Sequence, residues 1–395
     1  MSENITPRVL HIGKFLPPVP GGMEAYLGDL LRGSMSHGLE VGAVIHGKKG
    51  YPDPSSSDFG GAKVYTVPAY GQILYVPMAP SFIFALRSAI RDFRPNVLHV
   101  HMPNVAALWT LLIAELRRLP IVVHWHADVE FRAIPAWGRV ALPIYRLFEK
   151  ALLRKAHRII VTSRPYLESS SPLRGFREKS VVLPLFVDPS RLTATPPNNS
   201  SSDVESLDRP LRILAVGRLT YYKGFDVLLK AIATVNQVTL TLIGEGEEYH
   251  RLKMLSAALR LGCRVRFLGV ATREELIARY AEADVVCLPS IDRSEAFGLA
   301  LLEAGIFGVQ GVVSNINGSG LPWLASQLEG AIVAPSDPVA LAAEIHSMAD
   351  KRPTMKDRAI ISARALSLTK NWMENNINQL TEVYRECLST PAQNA

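Results

Sequence analysis

Short apolar runs recur along this chain, each followed by a longer stretch in which apolar residues return every three or four positions. Val9-Leu10-His11-Ile12, Val41-Gly42-Ala43-Val44-Ile45, Val97-Leu98-His99-Val100, Ile121-Val122-Val123-His124 and Arg158-Ile159-Ile160-Val161 are runs of the first kind. Residues 24–31, 82–93, 106–117 and 137–156 are stretches of the second. A continuous apolar run predicts a strand buried on both faces, as in a parallel sheet with helices above and below. The alternation stops over 193–208, where Thr-Pro-Pro-Asn-Asn-Ser-Ser-Ser-Asp predicts an exposed linker or loop. It then restarts, with strands predicted at 212–216, 238–243, 265–268, 285–288 and 311–313 and helices at 224–233, 247–261, 273–281 and after 298. Residues 369–388 predict one more helix after the second sheet is complete. The expected architecture is α/β, with two Rossmann-like doubly wound domains facing a central cleft. The domains are expected at 1–190 and 210–368, joined by a linker at 191–209. A terminal helix and tail at 369–395 is expected to cross back to the first domain.

Composition supports two buried cores. The chain has 395 residues, 48% apolar and 20% charged, enough for two domains of about 150–200 residues each. Cys263, Cys287 and Cys387 follow no metal or disulfide spacing, which suits a reducing cytoplasm. The N-terminus Met-Ser-Glu-Asn leads straight into a strand and does not read as a signal peptide. No apolar run reaches the ~18–20 residues of a spanning helix. A cytoplasmic protein, peripheral on the inner face of the membrane, is expected.

The net charge of +7 is unevenly placed: residues 1–190 hold 22 Lys/Arg against 14 Asp/Glu, the remainder 21 against 22. A basic first half points to an anionic partner. Nucleic acid is not expected, because no zinc finger, RRM signature or aromatic–basic stripe is present. Arg132, Arg139, Arg146, Lys150, Arg154, Lys155 and Arg158 crowd one region, interleaved with Trp137, Val140, Leu142, Ile144, Leu147, Phe148 and Leu152. Such a segment can lie on an anionic bilayer. Equally, Leu147, Phe148 and Leu152 can pack on the sheet while the cations are solvated.

Candidate chemistry gathers beyond the strand ends, where ligands bind in such sheets. Gly21 and Gly22 follow the first strand and open a helix, letting a ligand approach the backbone. His99 and His101, then His124 and His126, end two strands with each pair on one face. Zinc is one reading of four histidines. Polar groups lining a cleft fit better, since carboxylate and cysteine partners are poorly spaced. His126, with Asp128 nearby, is the catalytic candidate among them. Gly217-Arg218 and Lys223-Gly224 put two cations between a strand end and a helix, which suits a pyrophosphate or else a solvated turn. Gly244-Glu245-Gly246 predicts a tight turn. Glu295 and Glu303 stand eight positions apart across Phe297-Gly298-Leu299, where a helix start exposes amides to an anion. A nucleotide sugar, with hydroxyls, phosphates and more hydroxyls in that order, could touch all three features.

This ordered set resembles the retaining family-4 glycosyltransferases of the GT-B fold over nearly the whole length. Within that family, Val9-Leu10-His11, His124-Trp125-His126-Ala127-Asp128 and Ser314-Asn315-Ile316-Asn317-Gly318-Ser319-Gly320 look like bacterial O-antigen and exopolysaccharide mannosyl- or rhamnosyltransferases. The resemblance implies that Arg218 and Lys223 neutralise the donor pyrophosphate and that Glu303 holds the ribose. It implies that Glu295 and the amides of Phe297, Gly298 and Leu299 hold the sugar and distal phosphate, and that His126 contacts the sugar. Gly21 and Gly22 are implied near phosphate and acceptor, and Gly217 and Gly244 in the donor loops. The implied activity moves a hexose or deoxyhexose from a nucleotide sugar, GDP-linked, to a lipid-linked or oligosaccharide acceptor in surface polysaccharide synthesis. No cofactor and no essential metal are expected, there being no Asp-x-Asp motif. A nucleotide-sugar epimerase of the same fold and a non-catalytic binding module are the alternatives. Two features depart from the family pattern: Gly308-Val309-Gln310-Gly311-Val312 after the glutamate helix, and Asn317-Gly318-Ser319-Gly320-Leu321-Pro322 in place of a Gly-Gly-x-x-Glu loop.

Overall fold

A computed structural model describes residues 6–73, 76–77, 79–129, 142–192 and 209–389. The first half contains β1 (Arg8–Ile12), β2 (Glu40–Gly47), β3 (Lys63–Pro68), the short pair β4 (Gln72–Ile73) and β5 (Val76–Pro77), β6 (Val97–Met102), β7 (Ile121–Trp125), β8 (Arg158–Val161) and β9 (Ser180–Val182). Seven of these form one parallel sheet in the order β3-β2-β1-β6-β7-β8-β9. The second half contains β10 (Leu211–Val216), β11 (Val238–Ile243), β12 (Val265–Gly269), β13 (Val285–Leu288), β14 (Gln310–Ser314) and β15 (Ala331–Val333). They form a second parallel sheet, β12-β11-β10-β13-β14-β15. In each sheet the first strand of its half lies inside, and the chain winds outward to one side and then to the other. The crossover direction therefore reverses between β1 and β6, and again between β10 and β13, which are the places where such sheets bind ligands.

The apolar runs are buried as their pattern requires. Val9, Leu10, Ile12, Val97, Leu98, Ile121, Val122, Val123, Ile159 and Ile160 have no exposed surface. The edge strands β3 and β9 escaped the reading because Lys63-Val-Tyr-Thr-Val-Pro and Ser180-Val-Val are half-buried and carry polar residues. One continuous helix was expected over 106–117. The structure has a 3₁₀ turn at Val105–Leu108 and two short helices, Trp109–Leu112 and Ala114–Arg117, broken at Ile113. Ile113 is extended (φ −81°, ψ 119°) and buried, and the Thr110 hydroxyl donates back to the Ala107 carbonyl. Both residues are β-branched, and a hydroxyl bonded to the preceding turn competes with the helix ladder. The helix expected over 137–156 is present as Leu142–Lys155. Residues 137–141, with Arg132, Arg139, Trp137 and Val140, lie outside the described residues.

The chain divides into two compact units, residues 1–185 with 372–395, and residues 186–371. These boundaries differ from the expected 190 and 369, and two polar residues explain the shift. Thr369 accepts from the Val187 amide (2.7 Å) and donates to the Val187 carbonyl (2.7 Å), tying 187 to the second unit. Asn376 donates to the Pro184 carbonyl (2.6 Å), tying 184 to the first. Of the expected linker, 193–208 lies outside the described residues; its flanks at 191–192 and 209 belong to the second unit. There the Arg209 guanidinium grips the Asp284 carboxylate with two bonds of 2.6 and 2.7 Å. The terminal helix is longer than expected, Met355–Ser389, and gives its first part to the second unit and its last to the first. Its buried stripe includes Ile361, Ala365, Thr369, Asn376, Leu380 and Tyr384.

Candidate active site

The loops after β10 and β13 meet in the second unit. After β10 the chain passes Gly217 and Arg218, makes a 3₁₀ turn at Tyr221–Lys223, and enters the helix Phe225–Thr234. After β13 it runs through Ser290 to Glu295 and enters the helix Leu299–Ile306. Lys223 Nζ lies 2.5 Å from Glu295 Oε2, which also accepts from the Ser290 hydroxyl (3.1 Å). The Lys223 and Glu295 side chains keep only 13% and 10% of their exposure. Burial disfavours the Lys223 ammonium, but Glu295 and the Tyr222 phenol outweigh it and its pKa is raised. Arg218 is exposed on the same loop and close enough to bear electrostatically on Lys223. Gly244 supports this loop from behind. At φ 139°, a Cβ there would sit 1.9 Å from the Gly217 carbonyl oxygen, so the two backbones approach as only glycine allows. Gly244 thus shapes the Gly217 turn from the strand alongside.

The glutamate segment is held by the loop whose sequence departs from the family pattern. Ser319 Oγ donates to the Glu295 carbonyl and accepts from the Leu321 amide (3.0 Å), while the Gly320 amide donates to Ala296 (2.8 Å). Gly298 caps the helix in the left-handed region (φ 86°), and a Cβ there would meet Leu321 Cδ1 at 2.3 Å. The amides at Phe297, Gly298 and Leu299 stand at this helix start, where the helix dipole favours an anion. Glu303 lies one turn further in, 7% exposed. Its Oε1 accepts from Arg191 Nη2 (2.6 Å) and its Oε2 from the Tyr280 hydroxyl (2.9 Å). Burial and the Glu303 charge push the Tyr280 pKa well up, keeping that hydroxyl a donor.

In the first unit, strand register gathers five histidines on one sheet face. His11 lies beside His99 and His101 beside His124, with His126 just past the end of β7. The rings follow one another at 4.7 Å (His11–His99), 4.8 Å (His99–His101), 5.3 Å (His101–His124) and 4.3 Å (His124–His126). His101 bonds His11 (Nε2···Nδ1, 3.1 Å) and His126 (Nδ1···Nε2, 2.9 Å), and His99 Nδ1 meets the Tyr384 hydroxyl at 2.7 Å. Among the described residues, neither nitrogen of His124 has a hydrogen-bond partner, nor has His126 Nδ1. Burial drives the pKa of His11 and His126 down to about 3, and burial with neighbouring imidazoles holds His99, His101 and His124 well below 6.5. The rings are therefore neutral at physiological pH.

His11, His99 and His101, and likewise His101, His124 and His126, bring nitrogens within 4.8 Å of one another, as a metal site requires. Yet His124 and His126 stack with planes 3° from parallel, so their in-plane lone pairs do not converge on one ion. Asp128 accepts at Oδ1 from Trp125 Nε1 (2.7 Å) and from the Ser170 hydroxyl (2.8 Å). The His126 ring bonds His101 instead. Gly21 and Gly22 are exposed at the start of the helix Gly22–Ser36, whose Tyr26 ring lies 5.7 Å from that of His126.

Two family descriptions match this chain: "Glycosyl transferase 4-like domain" over residues 21–185 and "Glycosyl transferases group 1" over residues 199–366. This chain belongs to the glycosyltransferases. Among its relatives, the D-rhamnosyltransferase WbpZ of Pseudomonas aeruginosa is 29% identical over 335 residues, 84% of each chain. The O-antigen chain mannosyltransferase C of Escherichia coli is 23% identical over 88% of this chain and 90% of its own. Among solved structures, sucrose-phosphate synthase from Thermosynechococcus elongatus superposes with a TM-score of 0.76 at 21% identity, covering 97% of this chain and 99% of that one. The fold is accordingly GT-B, with relatives of the mannosyl- and rhamnosyltransferase kind.

In this glycosyltransferase Gly217, Lys223, Glu295, Phe297, Gly298 and Leu299 gather at the β10/β13 switch point, with Gly244 as backbone support. Arg218 stands on the rim and Glu303 one helical turn away. His126, Gly21 and Gly22 belong to the first unit. Sequence reasoning missed Ser290, Ser319, Tyr280 and Arg191, all of which touch the glutamate segment. Ser319 stands in the loop that departs from the family pattern, though with no role read for it; nothing in the local sequence marks the other three, which the fold alone brings in. His11 joined the histidine group through register, which a reading of separate strands does not contain.

Proposed function

We propose that this glycosyltransferase moves mannose or rhamnose from a GDP-linked sugar to a lipid-linked or oligosaccharide acceptor, with retention of anomeric configuration and without an essential metal. The observation that carries this reading is the Lys223–Glu295 pair beside a helix N-terminus, formed by the two loops beyond the switch-point strands. A donor phosphate placed there would draw Lys223 from Glu295, freeing the carboxylate for sugar hydroxyls. The acceptor oxygen bonds the anomeric carbon as the bond to phosphate breaks. The leaving diphosphate takes the acceptor's proton. Charge builds on that phosphate, and Lys223, Arg218 and the helix amides are fixed where it develops. Glu303 takes the ribose hydroxyls, and the family resemblance assigns a sugar contact to His126. The names of the two relatives support mannose or rhamnose; the GDP form rests on the family resemblance.

A membrane-bound acceptor agrees with the helix Leu142–Lys155. Leu152 packs in the core, but Leu147 is 70% and Ile144 59% exposed, with Lys150 and Arg154 also exposed. No helix among the described residues is long and apolar enough to cross a membrane. The test is incubation with GDP-mannose, GDP-rhamnose and UDP-glucose, with and without a polyprenyl-linked glycan, reading the product by NMR. Transfer only with acceptor, in the donor's anomeric configuration and undiminished by EDTA, is expected. A sugar altered without acceptor would make the protein an epimerase, and binding without turnover a non-catalytic module.

A further inference from the structure

Glu303 is more tightly arranged than a group awaiting a ligand needs to be. Each carboxylate oxygen already accepts one hydrogen bond, Oε1 from Arg191 and Oε2 from Tyr280. An ionised carboxylate offers about four acceptor sites, so one remains on each oxygen. The two partners come from separate segments of the chain and both are anchored. Tyr280 is fully buried and stacks on Phe307 with ring centroids 5.6 Å apart. Arg191 ends a 3₁₀ turn, Pro189–Arg191, capped by Asp188, which accepts from the Ser190 amide (2.9 Å) and hydroxyl (2.7 Å). The Arg191 carbonyl accepts from Arg273, and two residues before the turn Val187 is bonded both ways to Thr369.

We propose that Arg191 and Tyr280 are positioning residues that lock the Glu303 carboxylate so that its two remaining acceptor sites read the 2′- and 3′-hydroxyls of the donor ribose together. This rests on the assignment of ribose to Glu303 under the proposed function, and it assigns to the segment leaving the first unit a part in nucleotide selection. A freely rotating carboxylate would lose rotamer freedom on binding a diol; one clamped at both oxygens has lost it already, so more of each hydroxyl bond appears as affinity. Arg191 also supplies a charge-assisted bond from a planar guanidinium, whose direction lysine's point charge does not fix.

The experiment is calorimetric titration with GDP and UDP and with their 2′,3′-dideoxy analogues, in the parent, Glu303→Ala, Arg191→Ala, Arg191→Lys and Tyr280→Phe. The parent is expected to prefer the natural nucleotide by about tenfold or more, and Glu303→Ala to abolish that preference. Arg191→Ala and Tyr280→Phe are each expected to cut the preference at least threefold while changing affinity for the dideoxy nucleotide less than threefold, with Arg191→Lys in between. A general structural role would weaken both nucleotides alike and leave the ratio unchanged. Tyr280→Phe keeps the buried ring and reports even if the arginine variants fold poorly. If Glu303→Ala keeps the full preference, the ribose assignment itself is wrong. If Glu303→Ala loses it and the Arg191 and Tyr280 variants keep it, or bind the natural nucleotide more tightly, the positioning role is refuted while the ribose assignment stands.

Discussion

At the scale of single residues, the site is a set of charges already paired with one another. Lys223 is neutralised by Glu295 and Arg191 by Glu303, so a donor must redistribute these pairs. Lys223→Ala removes a fixed cation from the leaving group and strands a buried Glu295. It is expected to cut turnover by about 10²-fold or more, the usual cost of one such stabilising group. Arg218→Ala should do the same, and Arg218→Lys should also be slow because the planar fork is lost. Steady-state rates with saturating donor check this, and near-normal turnover in both alanine variants would remove the pyrophosphate assignment. Glu295→Ala is expected to lower turnover with little loss of nucleotide affinity. The residues with chemistry in their type and spacing were legible in the sequence: Lys223, Glu295 and Glu303. Arg191 and Tyr280 were not, since they reach Glu303 across 112 and 23 positions and a bonded arginine looks like any other in sequence.

At the scale of elements, local pattern decided most outcomes. The uninterrupted apolar runs became central strands, while the half-buried edges β3 and β9, with polar residues at paired positions, did not announce themselves. The terminal helix was read over 369–388, and the structure extends it back to Met355; Thr369 and Asn376 sit in its buried stripe and bond the backbone near 184–187. The helix Leu142–Lys155 carries a testable surface. Of its cations, Arg146 is held by Glu149 and by the Val129 carbonyl, both at 2.6 Å, and Lys155 by the Arg117 carbonyl at 2.8 Å. Lys150 and Arg154 are the ones to reverse. Sedimentation with anionic vesicles is expected at low salt and should weaken as ionic strength shortens screening to about 8–10 Å. Lys150→Glu with Arg154→Glu, or Ile144→Ser with Leu147→Ser, should abolish it and leave the circular dichroism unchanged. Equal binding to neutral and anionic vesicles, or none at low salt, would refute the electrostatic contact.

At the scale of the whole molecule, the pH dependence of stability follows from the histidine face of the first sheet. All five imidazoles have folded pKa values below 6.5, so the unfolded chain binds protons that the folded chain refuses. Their contribution is complete above about pH 6.5 and is lost as pH falls below it, at up to about 1.4 kcal/mol per histidine per pH unit. The thermal midpoint should hold from pH 8 to 7 and fall steeply from 6.5 to 5, before most carboxylates titrate. His124→Phe should lessen that fall, since it removes one imidazole that the unfolded chain protonates and the folded chain does not. A midpoint that is flat over pH 5–7 would contradict the buried neutral stack. Two doubly wound halves could be read from the alternation of runs because that signal is local. The unit boundaries at 185/186 and 371/372 depend on which backbone groups Thr369 and Asn376 satisfy, and that is decided only after folding. The central claim is that the loops beyond β10 and β13 hold a nucleotide diphosphate. It is tested most directly by titrating GDP and UDP into the parent, Lys223→Ala and Glu303→Ala proteins. At least one nucleotide should bind the parent and lose about tenfold or more in affinity in each variant; failure of both to bind, or binding unchanged in both variants, would contradict it.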